Sequence, residues 1–507
     1  MSVKVVIKKK MYQDSLKLMG ISRSLNEMEG VDEAMVAMAT ETNIDLFRRL
    51  GLYTEEAEKA SADDIVIAIK SSDEDILKNA IVIAEDELSG KNRPSAGDVK
   101  SIPLRTIKSA VRYHPNSNLA LISVPGRYAA KEAHNALDSG LNVMIFSDNV
   151  SIEDEVELKQ KAKEKGLLIL GPDCGTSIIN DVKLGFANEI KRGPIGIIGA
   201  SGTGMQEITS IIDRLGSGIS HAVGTGGRDL SKEVGGITML QAFEMLDKDD
   251  STKVIIITSK PPAEEVAKKI IRRAEISDKK IIVNFLGLNV NEIKESSNLS
   301  HAYTLEEAAV MAVKAIASPD EVWDAVDLNI KPTLKDKLLK LTENQKLIKG
   351  LYTGGTLASE ALVLLEKEMT IYSNLNAIGY KDSKSQHLVL DLGDDEFTKG
   401  CPHPMIDPEV RNQFILEEAK NPNTAVIMLD VVLGYGSNPD PASVLAPVIK
   451  KTDGIIFLAH VCGTESDPQI LSRQEAILKE AGAYVYNTNA KMAGTALKIN
   501  NIINCLK

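Results

Sequence analysis

One local pattern recurs along this chain and limits its folds more than any other feature. A short run that is apolar on both faces is followed by a stretch with helical spacing of apolar positions. Such runs stand at Leu119–Val124, Val143–Phe146, Leu167–Leu170, Ile195–Ile198, Val254–Thr258, Ile281–Phe285, Val426–Val432 and Ile455–Leu458. A strand needs apolar side chains on both faces when helices cover both, which is the situation of a parallel sheet. Strand–helix alternation therefore predicts an α/β architecture.

At 507 residues the chain has room for three or four domains of roughly 100–200 residues each. Residues 1–92 read as a small α/β module: strand Val3–Ile7, helix Asp14–Met28, strand Val31–Ala39, helix Asn43–Leu50, strand Ile65–Ile69 and helix Asp73–Leu88. The stretch Lys91–Gly97 is loop-like and marks a boundary. Residues 93–172 hold strand–helix units leading into Gly171-Pro172-Asp173-Cys174-Gly175, and residues 173–317 form a third domain. Residues 318–348, charged and with Pro332 among them, read as a helical linker before a last domain over 349–507.

Composition narrows the partners. Apolar residues make up 43% and aromatics 4%, with Trp323 the only tryptophan. The cores must rest on Ile, Val, Leu, Ala and Met, and base stacking on aromatic platforms is not the main business. A formal net charge of -12 repels nucleic acid and anionic lipid, so neither is an expected partner. The cysteines Cys174, Cys401, Cys462 and Cys505 show no C-x-x-C spacing, which argues against a disulfide framework and a structural zinc site. No apolar run approaches the ~18–20 residues of a membrane span, and no leader pattern precedes the first strand. The expected location is cytoplasmic.

The most informative feature is a repeat. Strand Ile195–Ile198 runs into Ser201-Gly202-Thr203-Gly204 and a helix carrying Glu207, then Gly226-Gly227-Arg228-Asp229, a helix, and the Thr252–Thr258 strand. Leu351 leads into Thr353-Gly354-Gly355-Thr356 and a helix carrying Glu360, then Gly393-Asp394-Asp395-Glu396, a helix, and the Thr424–Asp430 strand. The shared order predicts two diverged copies of one fold. Glycines let the backbone turn sharply and approach a ligand. A helix N-terminus adds unpaired N–H groups and partial positive charge, and hydroxyls add donors, which together make an anion site. Ser201, Gly202, Thr203, Gly204, Gly354, Gly355 and Thr356 are thus candidate phosphate ligands; a plain N-cap and tight turn would use the same residues. Neither loop has the Walker A or G-x-G-x-x-G pattern, so ATP binding by this chain alone is not indicated.

Ligands of parallel sheets bind beyond the carboxyl ends of the strands, where Gly226, Gly227, Arg228, Asp229, Gly393, Asp394 and Asp395 are expected. Arg228 can clamp a carboxylate or phosphate, or serve a surface ion pair. The run of acids can hold Mg²⁺ or simply form a charged turn. Cys401-Pro402-His403-Pro404-Met405-Ile406-Asp407-Pro408 places His403 in a proline-stiffened loop, which suits acid–base work as well as a structural role. Gly434-Tyr435-Gly436 opens a second rigid loop.

Residues 122–310 resemble the α subunit of succinyl-CoA synthetases. The matching stretches are Val124–Ala130, Gly171–Cys174, Ser201-Gly202-Thr203 and Gly224–Asp229. The second repeat resembles the CoA-ligase domain of the β subunit. Across nearly the whole chain the sequence is similar to the FdrA family of acyl-CoA-synthetase-like proteins, through Tyr12–Ser15, Met28–Asp32, Leu121–Gly126, Asp391–Thr398, Pro402–Asp407 and Val432–Gly436. The resemblance implies a Rossmann-like domain over 93–172, two flavodoxin-like parallel-sheet domains over 173–317 and 349–507, and the small N-terminal module. In the synthetases a histidine in a G-H-A-G stretch is transiently phosphorylated. Here that region runs Phe285-Leu286-Gly287-Leu288-Asn289-Val290, and His301 lacks the glycine frame. The glycine turn that binds CoA is missing too.

The FdrA resemblance implies a subunit of an oxamate carbamoyltransferase, converting oxalurate and phosphate to oxamate and carbamoyl phosphate in anaerobic allantoin and purine breakdown, with other carbamoyltransferase subunits as partners in a hetero-oligomer. In that reading His403, Arg228 and Asp229 are the catalytic candidates, and Arg127 joins Arg228 as a candidate for the oxamate carboxylate. Phosphate and carbamoyl phosphate are the expected small-molecule ligands, with CoA and Mg²⁺ left open and no resident metal expected. An acyl-CoA synthetase that works with an ATP-grasp partner and a non-catalytic scaffold are the alternatives.

Overall fold

The computed structural model describes residues 2–11, 13, 15–26, 28–54, 56–89, 104–288, 296–316, 332–380, 385–398 and 401–505. The boundary at Lys91–Gly97, Tyr12, Asp14, Trp323 and the Asn289-Val290 end of the synthetase comparison lie outside these residues, as does most of the 318–348 linker. The chain divides into two compact units, residues 1–103 with 399–402, and the remainder.

The first unit runs β1 (Ser2–Lys8), α1 (Ser15–Asn26), β2 (Glu33–Met38), α2 (Glu41–Arg49), β3 (Ile65–Ser71) and α3 (Glu74–Ser89). β1 and β2 both pair antiparallel with the central β3, so β1-α1-β2 is a split crossover with a strand between its arms. The alternation of strands and helices was legible, but this sheet is antiparallel where an α/β reading leads one to expect parallel strands. The stretch Ile65–Ile69 is fully buried because both faces are covered. Leu18, Leu25, Leu77 and Ala80 of α1 and α3 pack on one face, and Phe47, Leu52 and Ala57 on the other.

The second unit opens with α4 (Ile107–Tyr113), β4 (Leu119–Ile122), α5 (Gly126–Asp138), β5 (Asn142–Ile145), α6 (Ile152–Glu164) and β6 (Ile169–Leu170). β4, β5 and β6 form a parallel, Rossmann-like sheet in that order. A hairpin, β7 (Thr176–Ile179) and β8 (Val182–Gly185), then joins the next sheet. That sheet continues through β9 (Arg192–Gly199), α7 (Gly202–Arg214), β10 (Ile219–Gly224), α8 (Ile237–Lys248), β11 (Val254–Ser259), α9 (Glu264–Glu275), β12 (Lys280–Phe285), β13 (Leu299–His301) and α10 (Leu305–Ile316). Its parallel strands lie in the order β10-β9-β11-β12-β13.

After α11 (Pro332–Leu338), the part of the linker that is described, come β14 (Leu347–Tyr352), α12 (Gly355–Leu365), β15 (Leu388–Asp391), α13 (Asp395–Thr398), α14 (Glu409–Ala419), β16 (Thr424–Val432), α15 (Pro441–Lys450), β17 (Ile456–Cys462), α16 (Leu471–Glu480), β18 (Tyr484–Tyr486) and α17 (Asn489–Cys505). The order β15-β14-β16-β17-β18 repeats the previous one. Numbered within each repeat, both sheets read 2-1-3-4-5, the flavodoxin-like order, whose ligand crevice lies between strands 1 and 3.

Helices α7, α10, α12 and α17 pack together between the two sheets in a common core. Small residues, among them Ala308, Ala312, Ala358, Ala361, Ala493 and Ala496, let them approach closely. The repeats also trade helix caps. Glu207 of α7 accepts from the amide of Asn489, which opens α17, and Glu360 of α12 accepts from that of Leu305, which opens α10. These are the glutamates that follow each glycine–threonine loop by one helical turn. A buried ion pair with His460 at 2.7 Å completes the Glu207 side.

Candidate functional site

In each repeat the first strand runs straight into a helix, and the connecting loop lies at the topological switch point. Ser201 is the N-cap of α7, its hydroxyl accepting from the amide of Gly204 at 3.2 Å. Gly354 takes the same position before α12 and offers no side chain. Asp430, two residues before the end of β16, supplies the missing acceptor. Its carboxylate takes the amides of Thr353 and Gly354 at 2.8 and 2.7 Å, and the guanidinium of Arg411 holds it from behind at 3.2 Å.

The two helix N-termini face each other. The amide of Thr356 donates to the hydroxyl of Thr203 at 3.3 Å, and the hydroxyls of Ser201 and Thr356 are hydrogen-bonded. Glycine is needed for this approach: a Cβ on Gly204 would stand 2.9 Å from the Thr356 methyl, and one on Gly354 3.1 Å from the Thr203 methyl. Among the described residues the amides of Gly202, Thr203 and Gly355 have no protein acceptor. These first-turn donors carry the partial positive charge of their helices.

Carboxyl ends of other strands converge on the same place. At the end of β15, Asp391 lies against Gly355, its carboxylate 2.3 Å from where a Cβ would be. Burial pushes the Asp391 carboxyl up to about 6, with Asp394 and Asp430 adding to the rise. Beyond β6, Asp173 is likewise pushed up to about 6, by crowding first and then by Asp148 and Asp395. The Asp173 side chain still reaches solvent, so it sits at the wall of a crowded crevice rather than in a sealed core. Lys260, immediately after β11, opposes both shifts. Asp395 is raised as well, by burial and by Asp148 and Asp394. Phe146, Phe186 and His403 form an aromatic row with centroids 5.7 and 6.1 Å apart.

His403 is largely buried, and this pulls its pKa down to about 4. Its Nδ1 accepts from the amide of Met405 at 3.2 Å, which places the proton of the neutral ring on Nε2. A Cβ on Gly393 would stand 2.5 Å from that Nε2, so the imidazole lies directly on the loop after β15. A neutral imidazole with its proton on Nε2 is a hydrogen-bond donor more than a base.

The remaining candidates make local contacts. Arg228 donates to Glu155 at 2.9 Å and to the carbonyl of Val150 at 2.8 Å. Asp229 is fully buried, paired with Lys159 at 2.8 Å and accepting from the amides of Thr238 and Met239 at the start of α8. That is the pattern of a helix-capping carboxylate, and it is the place the structure gives this catalytic candidate. Arg127 is exposed over the ring of Tyr128. Gly226, with φ at +88°, would place a Cβ 2.3 Å from the carbonyl of Pro172, and Gly227 lies beside Asp173. Asp394 accepts from the amide of Glu396 in the turn that starts α13. Among the described residues no group of three or more His, Cys, Asp or Glu side chains is arranged to hold a metal ion, the Asp394-Asp395-Glu396 run included.

Sequence reasoning missed Asp391, Asp430, Phe186 and Lys260. Two signals were available: an acid inside the otherwise apolar run Thr424–Val432, and a lysine between a buried strand and Pro261-Pro262.

Three family models match: one described as "AllF, heavy metal-associated domain" over residues 1–102, a CoA binding domain over 190–288 and a CoA-ligase domain over 351–499. The CoA-binding match falls on the first flavodoxin-like repeat rather than on the Rossmann-like sheet. The heavy-metal description does not fit the donor set of the first module. All four cysteines and all seven histidines lie beyond residue 102, so residues 1–102 offer soft metals no thiolate or imidazole, and Cys401 is the one such donor in the same compact unit among the described residues. Among curated proteins, the chain is 44% identical over 503 residues to "Uncharacterized protein YahF" of Escherichia coli, covering 96% of this chain and 97% of that one. It is 30% identical over 183 residues to the succinate–CoA ligase [ADP-forming] subunit alpha 2 of Archaeoglobus fulgidus, covering 34% of this chain and 62% of that one. Among solved structures, ATP citrate lyase from Methanothrix soehngenii aligns at 12% identity over 79% of this chain and 85% of that one, with a TM-score of 0.36. No helix among the described residues is long and apolar enough to cross a membrane. The chain belongs to the FdrA family of acyl-CoA-synthetase-like proteins, with an AllF-type module preceding CoA-binding and CoA-ligase domains.

Proposed function

We propose that this chain is the phosphate-handling subunit of a carbamoyltransferase, oxamate carbamoyltransferase, that converts oxalurate and phosphate to oxamate and carbamoyl phosphate in allantoin breakdown. The observation that carries the reading is the pair of facing helix N-termini, with the amides of Gly202, Thr203 and Gly355 left without acceptors. A scaffold has no physical need for such donors. The AllF-type description of the first module supports the allantoin assignment.

In the proposed reaction a phosphate oxygen attacks the carbamoyl carbon of oxalurate, the C–O bond forms, and the bond from that carbon to the oxamate nitrogen breaks. The proton of hydrogen phosphate ends on the leaving nitrogen, so atoms and charge balance. In this reading helix N-termini hold the phosphate, and the Nε2 proton of His403 stabilises the oxyanion that develops at the carbonyl. Arg228 and Arg127 are, in the same reading, the candidates for the oxamate carboxylate, and the turns at Gly226-Gly227 and Gly393-Asp394-Asp395 are the candidate substrate-binding backbone. The succinate–CoA ligase relatives are by name subunits, and the proposal extends that to a hetero-oligomer with other carbamoyltransferase subunits.

A second reading, an acyl-CoA ligase completed by an ATP-grasp partner, is favoured by the CoA-binding and CoA-ligase matches. Parallel calorimetric titration of the purified chain with carbamoyl phosphate, phosphate, CoA and ATP separates the two. Binding of phosphate and carbamoyl phosphate without CoA supports the transferase; binding of CoA or ATP instead replaces it with the ligase.

A further inference from the structure

The cations around the crevice are mostly committed. Arg228 is paired with Glu155, Arg411 with Asp430, Lys159 with Glu155 and Asp229, and Lys349 with Glu418. Lys260 is different. It has no hydrogen bond or ion pair among the described residues, although it is half-buried. Its place is set by the backbone. β11 pairs parallel with β9, Thr258 beside Gly199, and the carbonyl of Thr258 accepts from the amide of Ala200 at 3.1 Å. Lys260 therefore leaves the sheet next to the Ser201-Gly202-Thr203-Gly204 turn, on the strand-3 side of the switch point. Pro261 follows, and a Cβ on Gly287 would stand 3.7 Å from it and 3.3 Å from Val363 of α12. A proline after the lysine fixes the direction in which the chain departs. The charge of Lys260 opposes the rise that burial causes at the carboxyls of both Asp173 and Asp391.

We propose that Lys260 is the cation that binds the dianionic phosphoryl group at the facing N-termini of α7 and α12, so that the site selects phosphate and acyl phosphates over monoanionic carboxylates. This rests on the phosphate reading of the site. Helix amides alone bind anions weakly and without regard to charge number; an ammonium with no protein partner supplies the second charge. Burying an ammonium without a partner is costly, and an incoming phosphate removes that cost.

The test is calorimetric titration with inorganic phosphate and with acetate, in the wild type, Lys260→Met and Lys260→Arg, with melting temperatures recorded alongside. The expected result is a phosphate affinity about tenfold to a hundredfold weaker in Lys260→Met, near wild type in Lys260→Arg, with acetate unchanged and melting temperatures preserved. Phosphate binding in the wild type that survives unaltered in Lys260→Met overturns the assignment of Lys260 and leaves the phosphate site standing. Absence of phosphate binding in the wild type overturns both. Loss in both variants together with a lowered melting temperature assigns Lys260 to the fold and overturns the proposal.

Discussion

The amide of Thr356 donates to the hydroxyl of Thr203 at 3.3 Å, joining the second residue of α12 to the second residue of α7 across 153 positions of sequence. Each threonine is the counterpart of the other in its own repeat. The repeats therefore meet with the positive ends of their first helices together, an arrangement that repels unless an anion or a set of acceptors lies between them. The hydroxyls of Ser201, Thr203 and Thr356 are those acceptors here, and they turn to donors when a phosphoryl group arrives.

Replacing Thr203 or Thr356 with Val keeps the shape and removes one hydroxyl. Phosphate affinity by calorimetry should fall about ten- to a hundredfold in each variant, the worth of one hydrogen bond to a charged group. Melting temperatures should stay within a few degrees of wild type. Unchanged affinity in both variants removes these hydroxyls from the site.

Both Asp173 and Asp391 titrate at about 6, so at neutral pH the crevice carries carboxylates that oppose an anion. As pH falls through about 6 they take up protons and the opposition fades. Sulfate, which does not titrate in this range, should bind about tenfold more tightly at pH 5.5 than at pH 7.5. Asp391→Asn should bind it more tightly than wild type at pH 7.5, with a flatter profile. A sulfate affinity independent of pH in the wild type contradicts this picture.

Much of the architecture was legible because it depends on local spacing. The apolar runs became strands, Ser201 an N-cap, and the glutamates one turn into α7 and α12 stood out as a shared feature of the repeats. Their task was not legible, since Glu207 and Glu360 cap helices of the opposite repeat, 282 and 55 positions away. The same holds for Asp430, which reads as the end of an apolar run and serves the turn at Thr353 and Gly354, 77 and 76 positions earlier. Arg228 and Asp229 follow glycines at a strand end, and their partners were not legible from that position. Which way a side chain leaves such a turn is decided by α6, whose Glu155 and Lys159 are paired with them. The antiparallel sheet of the first module escaped for a related reason: alternation of strands and helices does not state the direction of pairing.

Glu360 is fully buried, and desolvation raises its carboxyl to about 7, with Glu207 and Glu306 adding. The folded state thus holds a proton that the unfolded state, at about 4.5, has released. Between these values the folded form binds more protons, so this group's contribution to stability falls as pH rises from about 4.5 to about 7. Glu360→Gln retains an acceptor for the amide of Leu305 and removes the charge. It should be more stable than wild type at pH 8 by about 1–2 kcal/mol, and no more stable at pH 5. Denaturant unfolding at the two pH values checks the sign; equal differences at both remove Glu360 as the source.

The most direct test of the phosphate site is anomalous diffraction from crystals soaked in selenate, a tetrahedral dianion. The account predicts a selenium peak between the N-termini of α7 and α12, with oxygens about 3 Å from the amides of Gly202, Thr203 and Gly355. Full occupancy elsewhere with no peak between these helices contradicts it.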